Sequence, residues 1–200
     1  MNFYSNKTCR RYGIKLSDSP KAPVVKRNYP PGFHGPKGRR RLSDYGLQLA
    51  EKQKAKVTYN LREKQFKLTF VKAAKMKGDA GTNLLQLLER RLDNVVFRLG
   101  LAKSRPAARQ VVNHAHICVN GRKVNIPSYV VKEGDVVSVK KGSLKSRYFQ
   151  EITNETAKQE VPGWLNFDAK KMEGKVLHTP KKRDFDQSID TQAIVEFYSK

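Results

Sequence analysis

Ser104, Arg105 and Arg109 are the residues whose types and spacing speak first to chemistry. Ser104 is a good N-cap, and Pro106 suits a first helical turn because its missing amide hydrogen would have had no partner there. Arginines four positions apart emerge on one face, one turn from each other. A helix start built this way offers amides, dipole and guanidinium groups together, which is the chemistry of gripping a phosphate. Just downstream, His116-Ile117-Cys118-Val119 reads as a short strand. Asn120-Gly121 reads as its turn, since both residues tolerate the positive φ of a type I′ hairpin. Arg122 and Lys123 open the return strand and set two cations beside that turn.

His114, His116 and Cys118 alternate, which raises the question of a metal site. His114 is expected to end the preceding helix, same-face strand residues diverge, and no fourth ligand is near, so no metal is expected. A histidine beside arginines at a helix-to-strand junction reads instead as a phosphate or base contact, and Cys118 as a small buried hydrophobe. The chain has two cysteines, Cys9 and Cys118, far apart in sequence; that argues against a disulfide framework and for a reducing compartment. Glycines 32, 35 and 38 follow no expected strand and lack dinucleotide-binding spacing. No nucleophile elbow or paired His/Glu metal motif occurs, so the expectation is no catalytic residue, no cofactor, no small-molecule substrate and no enzyme.

The elements that position these residues follow from caps and periodicity. The stretch from Tyr29 to Arg41 reads as an ordered turn followed by a basic arm. A helix is expected from Ser43, with Asp44 at the positive end of its dipole and Leu42 stapled onto Leu47, running to Lys56 and exposing Lys52, Lys54 and Lys56. A second, about Arg62 to Lys77, places Phe66, Phe70, Ala73 and Ala74 on one face and stops at Gly78. Thr82 or Asn83 should cap a third, uninterrupted from Leu84 to Leu99, with Arg91 and Arg98 away from its apolar stripe. After the Asn120-Gly121 hairpin, Val130-Val131 is expected to pair with Val136 to Val139 across a Glu133-Gly134-Asp135 turn. Residues 90–143 thus make two helices and a small twisted sheet. Trp164 and Leu165 look like a core anchor, and Ile189 to Tyr198 a segment able to dock on the N-terminal helices. No internal repeat is visible.

Charge narrows the function. Lys and Arg number 41 against 18 Asp and Glu, a formal net charge of +23. Such an excess repels itself and calls for an anionic partner; a polyphosphate backbone fits, because neutralising each phosphate releases condensed counterions. The excess sits in residues 1–150, while residues 151–200 are nearly balanced. A membrane-surface protein would line its cations along one long amphipathic helix, whereas here they spread over loops, turns and several helices. No apolar run approaches a membrane span, and Met1 to Lys7 has no apolar stretch of the kind that starts a secretory signal.

Leu84 to Val96, Ser104-Arg105 through Ala108-Arg109-Gln110-Val111-Val112, His114, His116-Ile117, Val119-Asn120-Gly121 and Ile126-Pro127-Ser128-Tyr129 together resemble the S-four RNA-binding domain. Tyr29-Pro30-Pro31-Gly32, His34-Gly35, Leu42 to Leu49, Glu51 to Lys54 and the ending Ile194 to Ser199 extend the resemblance over nearly the whole chain, to the small-subunit ribosomal protein family that names the domain. The resemblance implies an α+β fold: a helical domain formed by the N-terminal region and the C-terminal tail, with an inserted S-four domain of two helices packed on a small antiparallel sheet. The boundaries expected are a basic arm at 1–42, a helical domain at 43–89 plus about 165–200, and the S-four domain at 90–155.

It also implies a structural constituent of the small ribosomal subunit in the cytoplasm of a bacterium, or alternatively in an organelle. Such a protein is a primary binder of 16S ribosomal RNA at a junction in its 5′ domain and nucleates assembly. Its further partners are protein S-five, with which it contributes to translational accuracy, other small-subunit proteins, and messenger RNA on its way into the subunit. Repression of its own messenger is an alternative second role, and an RNA-modifying enzyme a remoter alternative. Many bacterial members hold zinc with four cysteines in the arm; here only Cys9 stands in that region, so a metal-free variant is expected. Phosphate contacts are expected from Arg39, Arg40, Arg41, Lys52 and Lys54 in the first part. From the second they are expected at Arg91, Arg98, Lys103, Ser104, Arg105, Arg109, His114, His116, Asn120, Arg122 and Lys123. Shape, 2′-hydroxyls and phosphates should carry recognition, because the A-form major groove is closed to side chains.

Overall fold

A computed structural model describes residues 6–14, 27–38, 41–156, 161–169 and 171–199. It is an α+β protein in which two main hydrophobic cores share a short helical junction. The first helix, α1 (Asn6–Tyr12), lays Cys9, with Ile14 just beyond it, against Val57. Helix α2 (Asp44–Thr58) starts where the cap predicts: the Ser43 hydroxyl accepts from the Gly46 amide at 3.3 Å. Leu42 and Leu47 each keep about half their surface exposed, so the expected staple covers little.

Helix α3 (Glu63–Ala74) is shorter than the periodicity suggests, and Ala74 lies on its exposed side, away from buried Phe66, Phe70 and Ala73. The Asn83 side chain explains the stop. Its amide donates to the carbonyls of Ala73, Met76 and Lys77 at 3.3–3.4 Å, closing the frayed end of α3. Asn83 is therefore no N-cap. That role falls to Asp79, whose carboxylate accepts from the amides of Gly81 and Thr82.

The long helix expected from Leu84 to Leu99 is two helices, α4 (Ala80–Glu89) and α5 (Leu92–Arg98). The cause lies forty residues away. Val130 forms an antiparallel bridge with Arg91; the Val131 amide donates to the Arg90 carbonyl, and the Leu92 and Asp93 amides donate to the carbonyls of Tyr129 and Pro127. Segment 127–131 thus takes up backbone groups that an unbroken helix would have used internally. Val130 is spent on this bridge and does not pair with Val136 to Val139. The break redirects the apolar stripe. Leu84, Leu85 and Leu88 enter one core with Ala55, Phe66, Phe70 and Ile194, whereas Leu92, Val95, Val96 and Leu99 enter the other.

That other core lies under a five-stranded antiparallel sheet of order β2-β1-β3-β5-β4, from β1 (Ile117–Val119), β2 (Arg122–Val124), β3 (Val136–Val139), β4 (Leu165–Asp168) and β5 (Glu173–Val176). Ile117, Val119, Val137 and Val139 turn inward onto α5 and α6 (Arg105–Asn113), and α7 (Arg147–Thr156) adds Phe149 and Ile152. Strands β4 and β5 therefore complete the sheet, although the sequence places the tail from about 165 in the helical unit; Trp164 is wholly buried in the sheet's core. Gly174 is needed there, because a Cβ would meet Leu99 at 2.5 Å. The chain rejoins the helical unit only at Phe185, Ile189 and α8 (Thr191–Ser199), which packs on α2 and α4.

Candidate RNA interface

The hairpin after β1 is built as its residues dictate. Asn120 and Gly121 take φ of 50° and 76°, and Val119 pairs with Arg122, so two residues close the turn. The Asn120 side chain then fixes the turn to the next strand. Its amide donates to Asp135 Oδ1 at 2.8 Å, and its carbonyl oxygen accepts from the Val136 amide at 2.9 Å. Asn120 is thus committed to holding the turn. Arg122 and Lys123 stand exposed at the sheet edge on this braced support.

Helix α6 begins as the cap predicts, the Ser104 hydroxyl accepting from the Ala107 amide at 3.4 Å, with Lys103 exposed just before it. Arg109 is partly exposed and lies 3.7 Å from Asp93, a loose pair. At the other end, His114 is exposed and its ring centre lies 6.1 Å from that of half-buried His116. His116 Nδ1 sits 2.9 Å from the Ser143 hydroxyl, and its ring meets Phe149 edge-on. Lys103 and Ser104 stand at the start of α6, Arg109 at its middle, and His114 and His116 at and just beyond its end. Arg41 is exposed at the start of the helical unit, whereas Arg39 and Arg40 lie outside the described residues.

Four cations expected on the surface turn inward instead. Lys52 is 5% exposed: it pairs with Glu63 at 2.8 Å and lies 4.5 Å from the centre of the Phe197 ring, because α8 packs over the face that α2 alone would have shown to water. Lys54 is half-buried, pairs with Glu51 at 3.3 Å and donates to the Ser188 carbonyl. Arg91 is buried on Asp93, Nε and Nη2 reaching the two carboxylate oxygens at 3.1 and 2.9 Å. Arg105 is buried too; its Nε donates to Asn94 Oδ1 at 2.8 Å, and its guanidinium lies over the rings of Phe97 and Tyr59 at 4.6 and 5.1 Å. Arg105 and Arg109 therefore share a helix but not a surface.

Arg98 completes this junction. Glu89 is fully buried and accepts from Arg98 Nη2 and Nε, the Tyr59 hydroxyl and the Asn94 amide, all at 2.7–3.1 Å. Burial alone would raise the Glu89 pKa, but the charge and hydrogen bonds of Arg98 outweigh it and hold the carboxyl below its ordinary range. Burial would likewise depress Arg98, and Glu89 raises it instead. Burial and the Glu89 charge push the Tyr59 hydroxyl well above its usual value. Nothing local in the sequence marks Glu89, Asn94 and Tyr59 as partners; the break between α4 and α5 sets the first two where the end of α2 meets them.

Further exposed cations border the same domain. The Lys140 amide donates to the His116 carbonyl, and Lys141, Lys145 and Arg147 follow, all exposed. Their signal was visible as a basic run following β3. On the helical unit, α3 exposes Lys64, Lys67 and Lys72 along its outer side. Zinc does not fit this chain: two cysteines cannot supply four thiolates, and Cys9 is a core residue packed with Ile14 and Val57. Among the described residues no helix is long and apolar enough to cross a membrane.

Two family models divide the chain where α4 ends. "Ribosomal protein S4/S9 N-terminal domain" matches residues 2–89 and "S4 domain" matches residues 90–137. The small ribosomal subunit protein uS4 of Halothermothrix orenii is 52% identical over 198 residues, covering 96% of this chain and 95% of that protein. The uS4 proteins of Syntrophomonas wolfei and Caldicellulosiruptor bescii, with the same coverage, are 49% and 52% identical. With both family models in register with its two cores and half its residues shared with these relatives, the chain belongs to the uS4 family of small ribosomal subunit proteins, structural proteins rather than enzymes.

Proposed function

We propose that this protein binds 16S ribosomal RNA at a junction of the 5′ domain and there nucleates assembly of the subunit body in the cytoplasm. The observation that carries the reading is the pair Arg122 and Lys123, exposed on a braced two-residue hairpin within the S4 domain. With Lys103, Ser104, Arg109, His114 and His116 along α6 and at its ends, and Arg41 on the arm side, they offer phosphate contacts from several elements, which suits recognition of a folded RNA by shape. Lys52, Arg91, Arg98 and Arg105 act in this reading as internal supports for that surface. As in the family, protein S-five is the neighbour with which it contributes to translational accuracy, and messenger RNA passes alongside.

The test is affinity for the 5′ domain of 16S RNA as a function of salt. Log K should fall steeply and linearly with log salt, by roughly 0.7–0.9 per phosphate neutralised. A flat plot would defeat the electrostatic mechanism. Stoichiometric sedimentation with small subunits after a high-salt wash tests the assembly role; release of all the protein would overturn it.

A further inference from the structure

The turn that carries Phe33 is held from several sides. Arg10, on α1, donates from Nε to the Tyr29 carbonyl at 3.1 Å and from Nη2 to the Pro30 carbonyl at 3.0 Å, while its guanidinium lies 4.7 Å from the centre of the Tyr29 ring. The helix bearing it is itself fixed by Cys9 in a small core with Ile14 and Val57. Gly35 lets the turn close on itself, since a Cβ there would meet the Pro30 carbonyl oxygen at 2.0 Å. The Gly35, Lys37 and Gly38 amides each donate three residues back, to Gly32, His34 and Gly35, at 3.0–3.1 Å.

At the crest of this braced turn Phe33 is 91% exposed, more than any other large apolar side chain among the described residues. The His34 ring meets it edge to face, centres 5.3 Å apart at 84°, which fixes the pair and leaves the Phe33 ring largely open to solvent. The surroundings are cationic. From Ser19 to Ser43 the sequence holds no Asp or Glu, and exposed Arg27, Lys37 and Arg41 flank the turn. A protein partner would call for a broader apolar patch. Here the ring's chain neighbours are Gly32 and His34, and no second large apolar side chain is exposed among residues 27–38. One flat apolar ring among cations matches a base and its phosphates, because every base has a face to stack and a charge to neutralise.

We propose that Phe33, braced by His34, is a stacking platform for one unpaired base of the RNA, with Arg27, Lys37 and Arg41 on the adjoining phosphates. The proposal rests on the RNA-binding reading above and adds to it a base contact in the arm. It makes Phe33 a determinant of affinity that salt does not screen.

The experiment measures binding of the full-length protein to the 5′ domain of 16S RNA at fixed salt, for wild type and for Phe33→Ala, Phe33→Leu and Phe33→Trp. So exposed a side chain can be changed without disturbing either core. Phe33→Ala should bind about 10-fold more weakly, with an unchanged salt slope, as loss of one base stack predicts. Phe33→Leu, apolar but without a π-face, should be nearly as weak. Phe33→Trp should match wild type, and its indole emission should be quenched by the RNA while the buried native Trp164 stays constant. Binding of Phe33→Ala at wild-type strength, or of Phe33→Leu as tightly as Phe33→Trp, would overturn the platform while leaving RNA binding intact. Failure of wild type itself to bind would defeat the parent reading, and the platform with it.

Discussion

The junction at residues 89–105 and the hairpin at 119–123 are both rich in cations, and they use them in opposite ways. At the junction Glu89, Asp93 and Asn94 meet Arg98, Arg91 and Arg105, so positive charge is spent inside and ties the end of α4 to the start of the sheet domain. At the hairpin Asp135 is also close, yet it is engaged by Asn120 and the Lys132 amide, leaving Arg122 and Lys123 turned to solvent. The junction holds five cations in 17 residues and the hairpin two in five, and what separates them is carboxylate placement. A basic residue here is a structural brace or a surface contact according to what packs around it: a buried acid at Arg91 and Arg98, an amide and two rings at Arg105, solvent at Arg122 and Lys123.

Substitutions in the two regions should separate those roles. The largest effect is expected at Arg98→Ala, which leaves the Glu89 carboxylate buried with its main partner gone; denaturant unfolding should show a loss of about 3–5 kcal/mol. The same pair makes a pH prediction. In the wild type a depressed Glu89 binds fewer protons folded than unfolded, so its contribution is complete above the unfolded value of about 4.3 and is lost as pH falls through the lower folded value. In Arg98→Ala burial becomes dominant and should raise that pKa, reversing the sign, so acidification towards pH 5 should narrow the stability gap to wild type. A constant gap would mean the pair is not what holds the junction.

A smaller loss, about 1–3 kcal/mol, should follow Arg105→Lys, because an ammonium lacks the planar group that lies over Tyr59 and Phe97 while reaching Asn94. At the hairpin the pattern inverts. Arg122→Ala with Lys123→Ala should leave stability within about 0.5 kcal/mol of wild type, as for open surface positions. The doubly substituted protein should nonetheless bind the 16S 5′ domain more weakly, with a salt slope shallower by about 1–2. Equal stability losses in the two regions would erase the distinction drawn between them.

How legible each region was in the sequence follows from the range of its determinants. Asn120-Gly121 and the Ser104 cap are local devices, and both took the geometry their residues demand. The apolar run from Leu84 to Leu99 was equally visible, but its division between two cores was not, because the break is imposed by residues 127–131. The periodicity of α2 alone places Lys52 on its exposed side; only α8, more than a hundred residues on, covers it. Arg91 and Arg105 are surface cations by local pattern, because nothing near them in sequence marks Asp93 and Asn94 as buried. Periodicity reports which side of an element is apolar, and long-range packing decides what else is covered.

The late return of the chain to the helical unit has a consequence for the order in which the protein is made. Its first core takes Leu61, Phe66 and Leu84 early in translation, yet also requires Ile194 from α8, whereas every strand of the sheet is present by Val176. Domains fold as their residues emerge. The inserted domain can therefore close first, while α2, α3 and α4 wait with an unfilled groove. The unit begun first is completed after the inserted one, by α8.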